Sequence, residues 1–137
     1  MMTEQNKAVV IRFNKEGIEA GNAEVLREIL AADCVNHTAP AGAPNGPDSM
    51  IYFLNRVLKT GFPDLTVTIH DQLAEGDKVT TRKEFRGTHT GEFMGVPPTH
   101  KSVVIRVIDL IRLRDGQYVE HWGMSNLPEV IAELSGR

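Results

Sequence analysis

A long β-hairpin is predicted for residues 101–124, which read KSVVIRVIDLIRLRDGQYVEHWGM. Every second residue from 103 to 113 is apolar with one exception, a pattern typical of a strand with one buried face. Asp115-Gly116 is a two-residue connection of the kind that joins antiparallel strands. We therefore expect residues 117–124 to return antiparallel to the first strand.

The alternation also predicts which side chains of the hairpin face the core. Side chains of a strand point to opposite faces in turn, and three arginines mark one face of the first strand as outward. Asp109 is the charged exception on the inward face. With regular pairing after the turn, Asp109 lies opposite Trp122, and Glu120 is its diagonal neighbour on the same face. His121 is expected to point outward unless a β-bulge shifts the pairing.

Two carboxylates on one apolar face predict acid–base chemistry. Burial and a second nearby carboxylate both disfavour ionisation, so we expect the pKa of one carboxyl group to be raised while the other stays ionised. Such a pair is suited to general acid/base catalysis near neutral pH. Two structural alternatives stay open: Glu120 pairs with a buried Arg or Lys, or a one-residue bulge turns Asp109 outward.

The residues before the hairpin predict three helices and two more strands. Apolar residues recur at helical spacing over residues 5–20, Asn22 is a candidate N-cap for a second helix, and Pro47 opens a third helix that ends at Gly61. From Asp64 the period changes to strand-like alternation. Further predicted features are a loop over residues 38–47, a turn at 75–77, a loop over 87–99 and a short helix that begins at Pro128.

Helices followed by antiparallel strands predict an α+β fold, with the helices against one face of the sheet. The 137 residues fall within the usual size of one domain, so we expect a single domain over residues 1–137. An apolar pocket with a few inward-facing polar groups is expected inside it.

Composition argues against several classes of function. The net charge is −3 and no run of Lys or Arg exceeds two residues, so nucleic acid is not an expected partner. The start lacks the pattern of a signal peptide, and no apolar stretch approaches the roughly 20 residues that span a bilayer. We expect a cytoplasmic protein without membrane contact. The histidines and Cys34 lack metal-ligand spacing, and there is no glycine-rich nucleotide motif, so no metal or cofactor is predicted.

Four stretches resemble motifs of the SnoaL-like polyketide cyclases. Residues 87–99, GTHTGEFMGVPPT, are similar to G-x-H-x-G-x-x-x-G-x-P-P-T, and residues 115–122, DGQYVEHW, to D-G-K-I-x-[ED]-x-W. Asp33-Cys34-Val35-Asn36-His37 resembles an early D-x-x-N-H/P step, and Phe62-Pro63-Asp64 an F-P-D turn. The resemblance implies the cone-shaped fold shared with nuclear transport factor 2 and ketosteroid isomerase, in which three N-terminal helices and a curved antiparallel sheet enclose a pocket.

The resemblance also implies an activity and its residues. Characterised cyclases of the family close a polyketide ester by an intramolecular aldol reaction without a cofactor. Their acid/base position falls on Glu120, a pocket asparagine on Asn36 and a loop histidine on His89, while Asp109 stands where a histidine can occur. These four are the candidate catalytic residues. The candidates for contact with an apolar small-molecule ligand are Trp122, His37, Phe53, Phe93, Phe13 and Tyr118.

The predicted function is therefore a cofactor-independent cyclase or isomerase that acts on an apolar carbonyl compound, with Glu120 moving the proton next to the carbonyl. One alternative is an epoxide-hydrolase-like enzyme, which needs an inward-facing arginine between the carboxylates. Another is a non-catalytic binding module, which carboxylates locked in salt bridges would favour.

An apolar outer face of the sheet predicts self-association. Val104, Ile108 and Leu110 alternate onto the face that the arginines mark as outward. Exposed apolar area of this kind is typical of an interface, so a homodimer is expected.

Overall fold

Three helices precede most of the sheet and a fourth ends the chain in the computed structural model, which describes residues 2–39 and 42–136. Two of the three N-terminal helices have π-helical continuations. The predicted loop 38–47 includes residues 40 and 41, which lie outside the described residues. The helices are α1 (Met2–Arg12), continued by the π-helical segment Phe13–Glu19; α2 (Ala23–Ile29); α3 (Pro47–Tyr52), continued by Phe53–Leu58 and a last turn, Lys59–Gly61; and α4 (Leu127–Leu134).

In the described part of the chain, the sheet has five strands in the spatial order β1-β5-β4-β3-β2. Neighbours among β2 to β5 are antiparallel, as predicted, whereas β1 pairs parallel with β5 and makes the sheet mixed. Pairing irregularities between several strands accompany the curvature of the sheet. The strands are β1 (Leu30–Asn36), β2 (Thr66–Glu75), β3 (Lys78–Thr88), β4 (Ser102–Arg114) and β5 (Gln117–Ser125).

The predicted α+β class and element order are confirmed, and the local signals explain the helices. The side chain of Asn22 accepts hydrogen bonds from the backbone N–H groups of Glu24 and Val25, so it caps α2 as expected. Pro47 lies in the first turn of α3. None of the helices in the described part of the chain has the length and apolar content needed to span a lipid bilayer.

The core lies between the helices and the inner face of the sheet. Apolar side chains from α1 to α3 meet the inward residues of the strands, and their removal from water is the main force that holds the two layers together. Among the most buried members of this core are Val10, Leu26, Leu58, Phe62, Val79, Ile105, Ile111 and Tyr118.

The pairing of β4 with β5 corrects the predicted register. The hairpin begins as expected, with Leu113 opposite Tyr118, but a bulge after this pair places Arg112 opposite Glu120 and Ile111 opposite His121. The prediction that Glu120 and Trp122 share the inward face with Asp109 is therefore wrong. His121 takes that place instead.

The bulge has a physical reason in two consecutive apolar residues. Tyr118 and Val119 are both buried, which strict alternation would forbid because it would turn one of them to solvent. An extra residue on one strand lets both side chains leave water and reverses the facing of every residue that follows.

Candidate acid–base site on the inner face of the sheet

Five polar side chains form a hydrogen-bonded chain across the inner face of the sheet. Three adjacent strands each contribute one residue: Lys83 from β3, Asp109 from β4 and His121 from β5. Asn14, from the π-helical end of α1, flanks Lys83, and Asn36, the last residue of β1, flanks His121. We call this group the inner polar chain.

Lys83 is the fully buried cation of the inner polar chain, with 2% of its surface exposed. Its Nζ donates to Asn14 Oδ1 at 2.6 Å and lies 3.2 Å from Asp109 Oδ2. The ammonium group also faces the rings of Phe13 and Phe85, 5.9 and 5.2 Å from their centroids, within the range of cation–π attraction. Lys83 therefore has a counter-ion, a neutral acceptor and two aromatic neighbours.

Asp109 is buried beside this cation, as predicted, with 3% of its surface exposed. Burial alone raises the pKa of the carboxyl group, but the charge of Lys83 and a hydrogen bond with His121 outweigh it, and the pKa lies below its ordinary value. His121 Nε2 lies 3.2 Å from Oδ2. The other oxygen, Oδ1, is buried and has no hydrogen-bond partner among the described residues. The lowered pKa makes Asp109 an ionised carboxylate, one oxygen of which is buried and unpartnered among the described residues.

Glu120 lies on the opposite face of the sheet with partners of its own. It forms an ion pair with Arg112 and lies 2.8 Å from His37 Nε2. The hydrogen bonds from Arg112 and then His37 hold the pKa of Glu120 below its ordinary value. The His37 ring stacks on Trp122, with the centroids 4.7 Å apart. Since the pKa is lowered for both Glu120 and Asp109, the prediction that one of them is raised is wrong.

His89 is buried in the loop between β3 and β4, away from the inner polar chain. Its Nδ1 accepts a hydrogen bond from the backbone N–H of Thr99 at 3.2 Å, so the ring proton of a neutral His89 belongs to Nε2. That nitrogen is buried without a partner in the described part of the chain. The centroid of the Phe62 ring lies 5.7 Å from the centroid of the His89 imidazole and 5.0 Å from the centroid of the Phe93 ring. His89 and Phe93 therefore fasten the loop to the core.

The remaining candidates for ligand contact divide between the two faces. Tyr118 stacks on His121 with the ring centroids 5.9 Å apart and contacts Phe13 at 5.2 Å, so both aromatic rings border the inner polar chain. Burial holds the pKa of Tyr118 well above its ordinary value. Phe53, the first residue of the π-helical continuation of α3, is half-buried against the core. His37 and Trp122 are on the outer side, with Glu120.

The sequence pattern predicts no role for Asn14 or Lys83, and the predicted facing of His121 is wrong. A signal for Lys83 was present, because it alternates with the buried residues Thr81 and Phe85 along β3. The signal for His121 was the apolar pair Tyr118-Val119. Asn14 had no comparable signal, since its burial follows from helix packing.

Two of the grooves on the surface have volumes of about 470 and 510 Å³, and the larger has Lys83 among its lining residues. Neither is lined by Asp109 or His121, and the larger is lined mainly by outward-facing residues of the sheet. The predicted apolar pocket over the carboxylates stays a prediction. Within residues 2–39 and 42–136, no group of three or more His, Cys, Asp or Glu side chains is arranged to hold a metal ion.

The fold and the facing of its polar residues define a class of protein. Helices that pack on one face of a curved, unclosed sheet of five strands form the cone-shaped α+β architecture of nuclear-transport-factor-2-like domains. The chain belongs to the SnoaL-like polyketide cyclase family, whose sequence profile matches residues 8–134.

Solved structures agree with this membership. A proposed SnoaL-like polyketide cyclase from Jannaschia sp. CCS1 is 32% identical, with a TM-score of 0.87 over 99% of this chain and 95% of that one. IdmH, a proposed polyketide cyclase from Streptomyces antibioticus, is 34% identical, with a TM-score of 0.80 over 96% and 99% of the two chains. AclR, a proposed hydroxylase from Streptomyces galilaeus, is 25% identical, with a TM-score of 0.84 over 98% and 83%. No curated protein matches the sequence.

Proposed function

We propose that this protein is a cofactor-independent cyclase- or isomerase-type enzyme that acts on an apolar carbonyl compound, with Asp109 as the general base. One observation carries the proposal: Asp109 is an ionised, buried carboxylate with one oxygen free of hydrogen bonds among the described residues. Glu120, the position that the family resemblance favours, is less suited because both its oxygens are bound by Arg112 and His37.

The proposed reaction begins with proton abstraction. Asp109 Oδ1 takes a proton from the carbon next to the substrate carbonyl, and the electron pair of the broken C–H bond moves to the carbonyl oxygen as an enolate. In a cyclase, the enolate carbon then bonds to a second carbonyl carbon, whose oxygen gains a proton. The substrate would enter beside the ring of His121, whose side chain is 17% exposed, and would reach the buried Oδ1 only when neighbouring side chains move. Phe13 and Tyr118 would supply apolar contacts there.

The test is exchange of the α-protons of a panel of apolar β-keto esters in D₂O, followed by proton NMR, which needs no knowledge of the natural substrate. We expect Asp109→Asn to slow enzyme-dependent exchange by about 100-fold or more, the usual contribution of a general base. The matched control is Glu120→Gln, the same carboxylate-to-amide change on the outer face, which should leave the rate within about threefold. Loss of exchange in Glu120→Gln but not in Asp109→Asn would overturn the assignment.

The pH dependence of exchange provides a second test that needs no variant. The base must be ionised, so the rate should fall as the pH drops through the pKa of Asp109, which lies below the ordinary value of about 3.9. A rate that already falls between pH 7 and pH 5 with a single ionisation would contradict Asp109 as the base.

A non-catalytic binding module is the second candidate. It is supported by the ion pairs of both carboxylates, Asp109 with Lys83 and Glu120 with Arg112. Binding of the same esters without exchange of their α-protons would favour it. The epoxide-hydrolase-like alternative has less support, because Arg82 and Arg86 are exposed on the outer face of β3.

We also propose that the protein is a homodimer that forms through the outer face of the sheet. Ile108 and Met124 are paired across β4 and β5 and are 53% and 81% exposed. The larger groove adjoins them and is also lined by Arg106 and Glu129. Opposite charges beside one apolar area suit a second copy, because a twofold axis brings the same surface to itself. The cytoplasmic location stays a prediction.

A further inference from the structure

Both ring nitrogens of His121 face hydrogen-bond acceptors. Nδ1 lies 2.8 Å from Asn36 Oδ1, and Nε2 lies 3.2 Å from Asp109 Oδ2. The amide of Asn36 is held with its oxygen toward the imidazole, because the same Oδ1 accepts a hydrogen bond from the backbone N–H of Thr38 at 3.0 Å. An amide oxygen cannot donate, so Nδ1 must carry a hydrogen.

We propose that Asn36 is a positioning residue that keeps the proton on Nδ1 of His121, so that Nε2 and Asp109 Oδ2 hold a single further proton between them. A lone pair on Nε2 and a lone pair on an ionised oxygen would repel each other, so the 3.2 Å hydrogen bond between the two atoms needs this proton. The catalytic meaning of the arrangement rests on the proposed function; the proton positions themselves do not.

Gly123 provides the space for the imidazole. It lies directly opposite Asp109 in the pairing of β4 with β5. A Cβ atom at this position would lie 2.9 Å from Cε1 and 3.2 Å from Nε2 of His121, and 3.5 Å from Cβ of Asp109. Any larger residue would displace the ring from the carboxylate. Asn36 and Gly123 thus define the place of His121 from two sides.

The stored proton completes the proposed reaction. When Asp109 Oδ1 removes a proton from carbon, the proton held between Nε2 and Oδ2 is available for the oxygen that becomes negative. The substrate loses one proton and gains one, and the number of protons on Asp109 and His121 together is unchanged. Asn36 prevents the competing neutral form in which Nδ1 has no hydrogen and Nε2–H only satisfies the carboxylate.

Charged, polar and aromatic groups from the neighbouring strands surround His121. Asp109 faces it from β4 with Lys83 behind, Asn36 faces it from β1, and Tyr118 stacks on it from β5. His37 and Glu120 are paired on the outer face.

The experiment is a two-bond proton–nitrogen correlation spectrum of the His121 ring over a pH titration of the wild-type protein and two variants. In the wild type we expect Nδ1 to keep the nitrogen shift of a protonated site throughout, as its contact with Asn36 Oδ1 requires. In Asn36→Leu, where the acceptor is lost, Nδ1 should become the nitrogen that deprotonates. Asn36→Asp retains an acceptor oxygen and should restore the wild-type pattern.

Activity gives a second readout. In the exchange assay we expect Asn36→Leu to lower kcat by about tenfold or more with little change in KM, and Asn36→Asp to recover most of it. A wild-type spectrum in which Nδ1 loses its hydrogen would overturn the inference, as would an unchanged pattern in folded Asn36→Leu. If Asn36→Leu does not fold, the wild-type spectrum alone decides. If Asp109→Asn keeps full exchange, the proposed function fails while the proton positions at His121 are judged separately.

Discussion

Lys83 is the residue that brings a buried positive charge into the inner polar chain. A buried ammonium group loses its hydration, a penalty of several kcal/mol that only well-placed partners offset. Here Asp109 offers the opposite charge, Asn14 a neutral acceptor, and Phe13 and Phe85 the negative faces of their rings. The charge of Lys83 and the hydrogen bond with His121 together keep the pKa of Asp109 low in spite of its burial.

Removal of the Lys83 ammonium group should therefore leave the buried Asp109 carboxylate without its counter-ion. We expect Lys83→Met to lower the free energy of unfolding by about 3–5 kcal/mol, because an uncompensated charge is left inside. Urea denaturation at neutral pH measures the change. Lys78→Met, at an exposed lysine of the same strand, should change the unfolding free energy by less than about 0.5 kcal/mol. Equal effects of the two substitutions would show that the ion pair with Asp109 does not stabilise the fold.

The loop between β3 and β4 is attached to the core through His89, a residue of its sequence motif. His89 accepts from the Thr99 backbone and packs on Phe62, so the loop is held to the core by one imidazole. The resemblance to cyclases made His89 a catalytic candidate, and its enclosure favours a structural part.

His89→Leu should accordingly act on stability. We expect the free energy of unfolding to fall by about 1–3 kcal/mol, because the Thr99 N–H loses its acceptor, while the folded variant keeps its exchange rate per molecule. Thermal unfolding and the exchange assay measure the two quantities. His100→Asn, at an exposed position with φ of 62° where Asn is tolerated, should alter neither. A tenfold lower rate with unchanged stability would return His89 to the catalytic candidates.

The elements that sequence predicted well are those with a clear period. The strand β4 shows alternation over its whole length, and Asp109 is buried on the expected face. The strand β1 was missed because Leu30–Asn36 buries residues without regular alternation. The facing of β5 was wrong because one bulge, caused by the burial of Val119 as well as Tyr118, reverses everything after it.

The site was predicted only in part for the same reason. Asp109 and Asn36 are both present in the inner polar chain, whereas the partner expected from regular pairing, Glu120, is on the other face. Lys83 had a local signal, its alternation with the buried Thr81 and Phe85, whereas Asn14 could be found only from the packing of the α1 end against the sheet, which no local pattern reports.

The outer face of the sheet presents exposed apolar area, which bears on how whole molecules associate. Its exposed apolar residues include Ile108 and Met124, while Val104 and Leu110 are half-buried. Water in contact with such an area is released when a second copy covers it.

We expect a dimer mass by size-exclusion chromatography with light scattering. The double variant Ile108→Glu/Met124→Glu should be a folded monomer, because like charges would meet across the twofold axis. Tyr52→Glu, an equal change at an exposed residue of α3 on the helical side, should stay dimeric. A wild-type monomer at micromolar concentration would contradict this interface.

Carboxyl-carbon NMR of the free protein between pH 2 and pH 8 measures whether Asp109 is an ionised carboxylate held by Lys83 and His121. We expect Asp109 to titrate below its ordinary value of about 3.9, and Lys83→Met to move this titration to higher pH. An Asp109 that titrates above pH 6 in the wild type would overturn its assignment as the base, because the carboxyl group would then be a neutral acid.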